Sequence, residues 1–257
     1  MRPLIFTCLL LLTGNALFAQ YSRFPTSGTV EYEKTINMYA VIKKKIDVDK
    51  NTFGAQAFES FKKTQPQFKK VRSTLTFAGN KTLYTPIKDT EPQSNNYLAQ
   101  DPAADQNNII YTDLGTSASI TQKTVFEETF LLKDSVRKIN WKITDEKRDI
   151  AGYSCRRANA IVLDSIYVVA FYTDEIPVSG GPESFTGLPG LILGVALPHE
   201  NITWFATLVK DAPVAANIIT APKKGKPTDY KELVSTLQGV MKSWGNYAQS
   251  ALKAFLL

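Results

Sequence analysis

The segment from Gly28 to Ile36 alternates without a break. Val30, Tyr32 and Ile36 fall on one face, and Glu31, Glu33 and Thr35 on the other. Successive side chains of an extended chain point to opposite sides, so this pattern describes a strand with one buried and one solvated face. The same period returns from Val71, where Val71, Leu75 and Phe77 share a face, and Thr82-Leu83-Tyr84 starts back after a turn at Gly79-Asn80. Short β-like runs follow at 109–114, 119–126, 128–132 and 139–143. Residues 149–163 read as two strands or one long bent one. The run Ile166 to Tyr172 is apolar on both faces, as a doubly covered strand requires. Leu191–Leu197 and Ile202–Val209 make a final pair across the turn Pro198-His199-Glu200-Asn201. With no internal repeat and no βαβ alternation, the expected fold is mainly β or α+β, built on a large antiparallel sheet.

Helical spacing occurs in two places. Phe53, Ala57, Phe58, Phe61 and Phe68 recur near that period with lysines between them, which predicts a short amphipathic helix ending near Pro66. After a Pro- and Lys-bearing linker over 211–227, Thr228 is placed to cap a second helix, with Asp229 in its first turn. Leu233, Leu237, Val240, Met241, Trp244 and Ala248 then form an apolar stripe that must dock on the sheet or on a partner. Between these helices, 89–108 is rich in Asn, Gln, Asp, Pro and Ala and is expected to be a long mobile loop.

The chain opens with a short cationic stretch, Met1-Arg2-Pro3, then an apolar run from Leu4 to Leu12 and the small-residue segment around Ala16 and Ala19. This is the pattern of a secretory signal, expected to be removed after Ala19 together with Cys8. The run is too short to span a bilayer, which takes about 20 apolar residues. The expected organisation is a signal peptide at 1–20, a β domain at 21–210, and a linker with a C-terminal helix at 211–257. The mature chain keeps one thiol, Cys155, and no transmembrane segment. The formal charge is +6, with lysines in scattered small groups such as Lys43 to Lys45 and Lys62-Lys63. They read as solvated surface rather than a nucleic-acid stripe, and no nucleic-acid partner is expected.

Candidate chemistry is sparse. His199 is the single histidine, so a multi-histidine metal site is excluded, and neither a metal nor a cofactor is expected. Cys155 and His199 are the weak catalytic candidates, because a thiol beside an imidazole base can act as a nucleophile. The acid pairs Glu127-Glu128, Asp145-Glu146 and Asp174-Glu175 serve acid–base chemistry only if the fold gathers them around a cleft. Leu188-Pro189-Gly190-Leu191 predicts a type II turn, with Pro presetting φ and Gly taking the positive φ. That turn either forms a buried corner feeding a strand or presents Leu188 and Pro189 to a ligand or partner.

The hexapeptide Gly187-Leu188-Pro189-Gly190-Leu191-Ile192 resembles the signature of the GLPGLI family of exported Bacteroidota proteins. Trp141-Lys142-Ile143, the block from Ile150 to Ala158, the block from Phe171 to Val178, and Gly28-Thr29-Val30-Glu31-Tyr32 resemble the family's other segments, in the expected order. The resemblance implies a Gram-negative envelope location, periplasmic or associated with the outer membrane, and implies no activity. By analogy of fold, such a chain looks like periplasmic carriers with a curved sheet around acyl chains. Three readings follow. The first is a non-catalytic envelope protein whose curved sheet binds an apolar ligand, a peptide or an outer-membrane partner. The second is a hydrolase using Cys155 or a carboxylate pair. The third is an accessory subunit docking through its C-terminal helix.

Overall fold

The computed structural model describes residues 24–49, 52–88, 98, 101–105, 107–215, 217–245 and 247–257. The signal segment and most of the 89–108 loop lie outside the described residues. Strands β1 (Ser27–Asn37), β2 (Phe68–Ala78), β3 (Lys81–Pro86), β4 (Ile109–Asp113), β5 (Ala118–Val125) and β6 (Glu128–Ser135) form one antiparallel meander. Strands β7 (Lys142–Ile150), β8 (Tyr153–Val162), β9 (Ile166–Thr173), β10 (Leu191–Leu197) and β11 (Ile202–Lys210) form a second. β11 pairs with β1, which joins the two meanders into one sheet. A short β12 (Lys226–Thr228) lies parallel to β6, and the order is β12-β6-β5-β4-β3-β2-β1-β11-β10-β9-β8-β7.

Chain length dictates the curvature. β6 and β7 stand ten inter-strand steps apart in the sheet, which at about 4.8 Å per step is about 48 Å around the sheet. Yet only residues 136–141 connect them, and seven Cα steps reach at most about 25 Å. The sheet must curl until its two ends approach one another. Burial follows that curl: along β1, alternate residues from Gly28 through Val30, Tyr32, Lys34 and Ile36 are buried, and the intervening ones are partly exposed. β9 is different, because only Tyr167 among Ile166–Thr173 escapes full burial. Its doubly apolar sequence has cover on both faces.

Two helices precede β2 where one is predicted. α1 (Met38–Asp49) begins directly from β1, and Asn37 caps it by accepting a hydrogen bond from the Ala40 amide. Its inward residues, Met38, Ile42 and the partly buried Ile46, recur every fourth residue, but with only three of them and Lys43 to Lys45 between the last two the helical period is easily missed. α2 (Thr52–Thr64) stops before Pro66, as expected, with Lys62 and Lys63 in its last turn. Phe61 is buried and Tyr39 meets it edge to face, whereas Phe68 belongs to β2 and is exposed. A single turn, α3 (Pro102–Asp105), occupies part of the long polar loop.

The C-terminal helix starts one residue later than predicted. Asp229, not Thr228, is the cap, its carboxylate accepting from the Glu232 amide at 2.8 Å. The Thr228 hydroxyl donates instead to the Glu232 carboxylate. The predicted continuous helix is two, α4 (Tyr230–Val240) and α5 (Tyr247–Leu256), broken near Gly245 at φ +57°. Leu233, Leu237 and Met241 pack with Ala251, Leu252 and Phe255 against Val125 and Phe130 of the sheet. Leu233, Leu237 and Met241 of the predicted stripe are thus buried inside the domain, Trp244 and Ala248 partly so, and Val240 stays exposed.

Candidate functional site

The segment joining β9 to β10 enters the hollow of the sheet rather than looping over solvent. Ile176, Val178, Phe185 and Leu188 are buried along it. Tyr32, at the middle of β1, donates its hydroxyl to the Ile192 carbonyl at 2.6 Å, and Trp141 donates its indole N–H to the Thr186 carbonyl at 2.8 Å. Gly187-Leu188-Pro189-Gly190-Leu191-Ile192 forms a corner whose Leu and Ile side chains all face the core, leaving Gly187 and Pro189 exposed. Leu188 is thus not displayed to a partner.

The predicted type II turn is not formed there. The positive φ lies at Gly187 (+93°), not at Gly190. Gly190 has another reason to lack a side chain: a Cβ would stand 2.0 Å from the Thr173 carbonyl oxygen. Close backbone approach across the β9–β10 pair, rather than turn geometry, sets that residue.

Cys155 and His199 do not meet. Cys155 lies on β8 beside the end of β9 at Thr173, and is fully buried. His199 lies in the exposed helical turn Pro198–Glu200, near the Tyr167 ring at the start of β9. Six residue steps of strand separate Tyr167 from Thr173, about 20 Å. Burial, reinforced by Glu175 and Asp149, pushes the Cys155 thiol up to about 12, and its sulfur donates to the Tyr153 carbonyl. A thiolate nucleophile is not available in this state. The acid pairs are exposed as well, and Asp145 and Glu146 reach Arg156 and Arg157 on the sheet surface. Among the described residues no group of acids, histidine and cysteine is arranged to hold a metal.

What the fold does gather is a buried polar cluster that sequence reasoning missed. Glu183, only 7 % exposed, accepts from Asn108 Nδ2 at 3.0 Å and from the Tyr84 hydroxyl at 3.4 Å. Its backbone sits at φ +51°, an unfavourable region for a residue with a side chain. Lys34 from β1 lies over the Trp204 ring at 5.0 Å and borders the same small space as Glu183. Lys123 from β5 is buried nearby. Burial lowers its ammonium to about 8, Arg137 and Lys34 adding to the effect and Glu183 opposing it. A signal existed for both lysines, since Lys34 shares the parity of Tyr32 and Ile36, and Lys123 that of Thr121 and Val125. Glu183 had none, because its loop has no period.

Beside this cluster, where the two ends of the sheet come together, opens a cleft of about 740 Å³. Its walls are β4–β6, the 136–141 crossing, the β8–β9 turn and the ends of α4 and α5. Leu132, Val162, Leu233 and Phe255 supply apolar surface, and Ile161 stands at the mouth, 65 % exposed. Pockets of about 300–1,000 Å³ with mostly apolar walls and a few convergent polar groups are the usual small-molecule sites. A smaller hollow of about 300 Å³ between α1 and α5 is bordered by the Lys44–Glu200 and Lys45–Asp101 ion pairs.

A family described as a protein of unknown function (Porph_ging) matches residues 162–194, from the end of β8 through β9 and the buried corner into β10. None of the curated proteins matches this sequence. Among solved structures, PNGF-II in its P21 crystal form is similar with a TM-score of 0.51 at 16% identity, over 82% of this chain and 33% of that one. The C2 form gives 0.51 at 15% identity, over 80% and 31%. The chain thus spans about a third of PNGF-II, and identity this low shows a shared fold alone. An uncharacterized conserved protein from Thermus thermophilus aligns at a TM-score of 0.39 and 4% identity, over 80% of this chain and 91% of that one, which is too loose to carry argument.

Proposed function

We propose that this chain is a non-catalytic cell-envelope protein of the GLPGLI type that holds an apolar ligand in the cleft between the ends of its curved sheet. The cleft carries the reading. It is large enough for a small molecule, and its wall is amphipathic, with Leu, Ile, Val and Phe side chains beside an equally extensive set of polar and charged ones that includes the buried Lys123 and Asn108. The Porph_ging match over 162–194 includes the hexapeptide and supports the family placement. The first residues, read as a secretory signal, support export to the periplasm or the outer-membrane face. A thiol hydrolase is disfavoured by the burial of Cys155 far from His199, and a docking C-terminal helix by the internal burial of Leu233, Leu237 and Met241 from its stripe.

A fluorescent medium-chain probe tests the reading. The mature wild-type protein is expected to bind it with one-to-one stoichiometry. Ser119→Trp, which projects into the cleft from β5, should weaken binding at least tenfold with an unchanged melting temperature. Absence of binding by the wild type, or equal binding by Ser119→Trp, overturns the proposal. Fractionation of the native host should place the mature chain in the periplasm or outer membrane.

A further inference from the structure

The cleft wall buries two cations that make no close ion pair with a carboxylate among the described residues. Lys123, on β5, donates to the Phe255 carbonyl, and Arg137, in the 136–141 crossing, donates from Nη2 to the Leu256 carbonyl. Both therefore rest on the C-terminal end of α5, where aligned peptide dipoles supply about half a negative charge. That is well short of two cations. Neither has a carboxylate within ion-pair distance among the described residues. The second terminal nitrogen of Arg137, Nη1, is buried and has no hydrogen-bond partner there.

Such groups are costly to bury unless something pairs with them. Carboxylates face them, but none at ion-pair distance. Asp134 and Asp164 line the cleft from exposed positions at its rim, where Lys138 offsets one of them. Glu183 lies behind Lys123 and is already held by Asn108 and Tyr84, with Lys34 beside it. Burial lowers both the Lys123 ammonium and the Arg137 guanidinium; at Lys123 the Glu183 carboxylate opposes this, and Arg137 and Lys34 add to it, so the two cations stand close enough to repel. The apolar wall of Leu132, Val162, Leu233 and Phe255 continues from them to the mouth at Ile161.

We infer that the cleft takes a single-chain amphiphile with a compact oxyanion head, a carboxylate or a phosphate monoester. The head sits at Arg137 Nη1 and Lys123, and the chain runs along the apolar wall toward Ile161. A guanidinium offers a planar fork suited to either oxyanion, and a low-dielectric surround strengthens the pairing. This rests on the reading that the cleft holds an apolar ligand, and adds the chemistry of the head.

Four ligands sharing a ten-carbon chain separate the two claims: decanoate, decyl phosphate, decanol and decyltrimethylammonium. Inorganic phosphate alone serves as a fifth. Affinities would be measured by displacement of the fluorescent probe from wild type, Arg137→Gln, Arg137→Lys and Lys123→Met, each checked by its melting curve. At least one of the two anions should bind wild type tenfold or more tighter than decanol, and decyltrimethylammonium weakest. Arg137→Gln should erase that preference while leaving decanol affinity within twofold. If Arg137→Gln does not fold, Arg137→Lys and Lys123→Met decide the point by a partial loss of the same preference. Equal binding of decanoate, decyl phosphate and decanol by wild type refutes the head assignment while the cleft reading stands. Failure of every chain to bind sinks both. An anion preference that survives in all variants places the head elsewhere and overturns the inference. Inorganic phosphate binding as tightly as decyl phosphate overturns the amphiphile.

Discussion

Replacing Gly190 by alanine tests the account of the hexapeptide most directly. The added Cβ would lie 2.0 Å from the Thr173 oxygen, 2.7 Å from the Thr173 carbon and 3.0 Å from Asp174 Cα. All three are backbone atoms. β9 is held between β8 and β10, and Leu191 pairs with Thr173, so neither side can rotate away as a side chain would. Overpacking by a methyl costs about 1–3 kcal/mol where side chains relax, and a clash with fixed backbone belongs at or above the top of that range. At about 3 kcal/mol, a domain of this size should lose about 6–12 °C of melting temperature. Two glycines calibrate the result. Gly187 has φ +93° with only Trp141 within 4 Å, and Gly79 has φ +54° with nothing within 4 Å. Alanine at either meets only the left-handed penalty, about 1–2 kcal/mol. Urea unfolding of the three variants should rank Gly190→Ala clearly below the other two. If Gly190→Ala is no more damaging than Gly79→Ala, close approach is not what glycine serves at 190.

Three further outcomes follow from the buried groups. Cys155 should resist a thiol reagent at pH 8 in the folded protein and react fully in urea, since burial holds its thiol up to about 12; native labelling at the rate of a free thiol contradicts that environment. Glu183→Leu should cost about 3–5 kcal/mol, as removing one member of a buried charged network does, because Asn108 and Tyr84 lose their acceptor and Lys123 its opposing charge; a loss below about 1 kcal/mol in chemical unfolding would refute the role given to the cluster. Lys123→Met should stabilise the ligand-free protein at pH 7. A lysine lowered to about 8 from an ordinary value of about 10.4 carries a penalty of about 3 kcal/mol, less about 1 kcal/mol for the lost hydrogen bond to Phe255. That penalty is fully present below pH 8 and lifts as pH climbs toward the unfolded value. Wild type should therefore close the gap on Lys123→Met between pH 7 and pH 10, as read by unfolding at both; a constant gap would refute the lowered value.

Local patterning carried much of the fold. Alternation named β1, β2 and β3, and the doubly apolar run named β9, because a strand's burial is written in neighbouring residues with period two. α1 escaped because its inward stripe is only Met38, Ile42 and Ile46, with three lysines in a row before the last, and the helix leans on Asn37 and on packing rather than on a long stripe. The break between α4 and α5 escaped because Trp244 and Ala248 keep helical spacing across Gly245, and spacing says nothing about φ. Curvature was not local at all. It was expected only by analogy of fold; its cause, a six-residue crossing between β6 and β7, becomes visible once the strand order is known. The candidate site escaped for the same reason, since Lys123, Arg137, Asn108 and Phe255 come from four separate elements, and only Lys34 and Lys123 broke an apolar face in sequence.

The curl also decides where a ligand can sit. Most of the hollow is filled: the 174–190 segment occupies it behind β1 and β10, and α4 with α5 covers β5 and β6. A curled open sheet keeps one place that its own ladder cannot seal, the gap between its first and last strands. Here that gap is bridged by the 136–141 crossing and the end of α5, and the buried cations stand there. If Lys123 served the fold alone, a methionine would fill its place at lower cost, and stability would have nothing to gain from the ammonium. Greater stability of ligand-free Lys123→Met, paired with weaker oxyanion binding by the same variant, would show that the cleft gives up stability to keep a charge for its ligand.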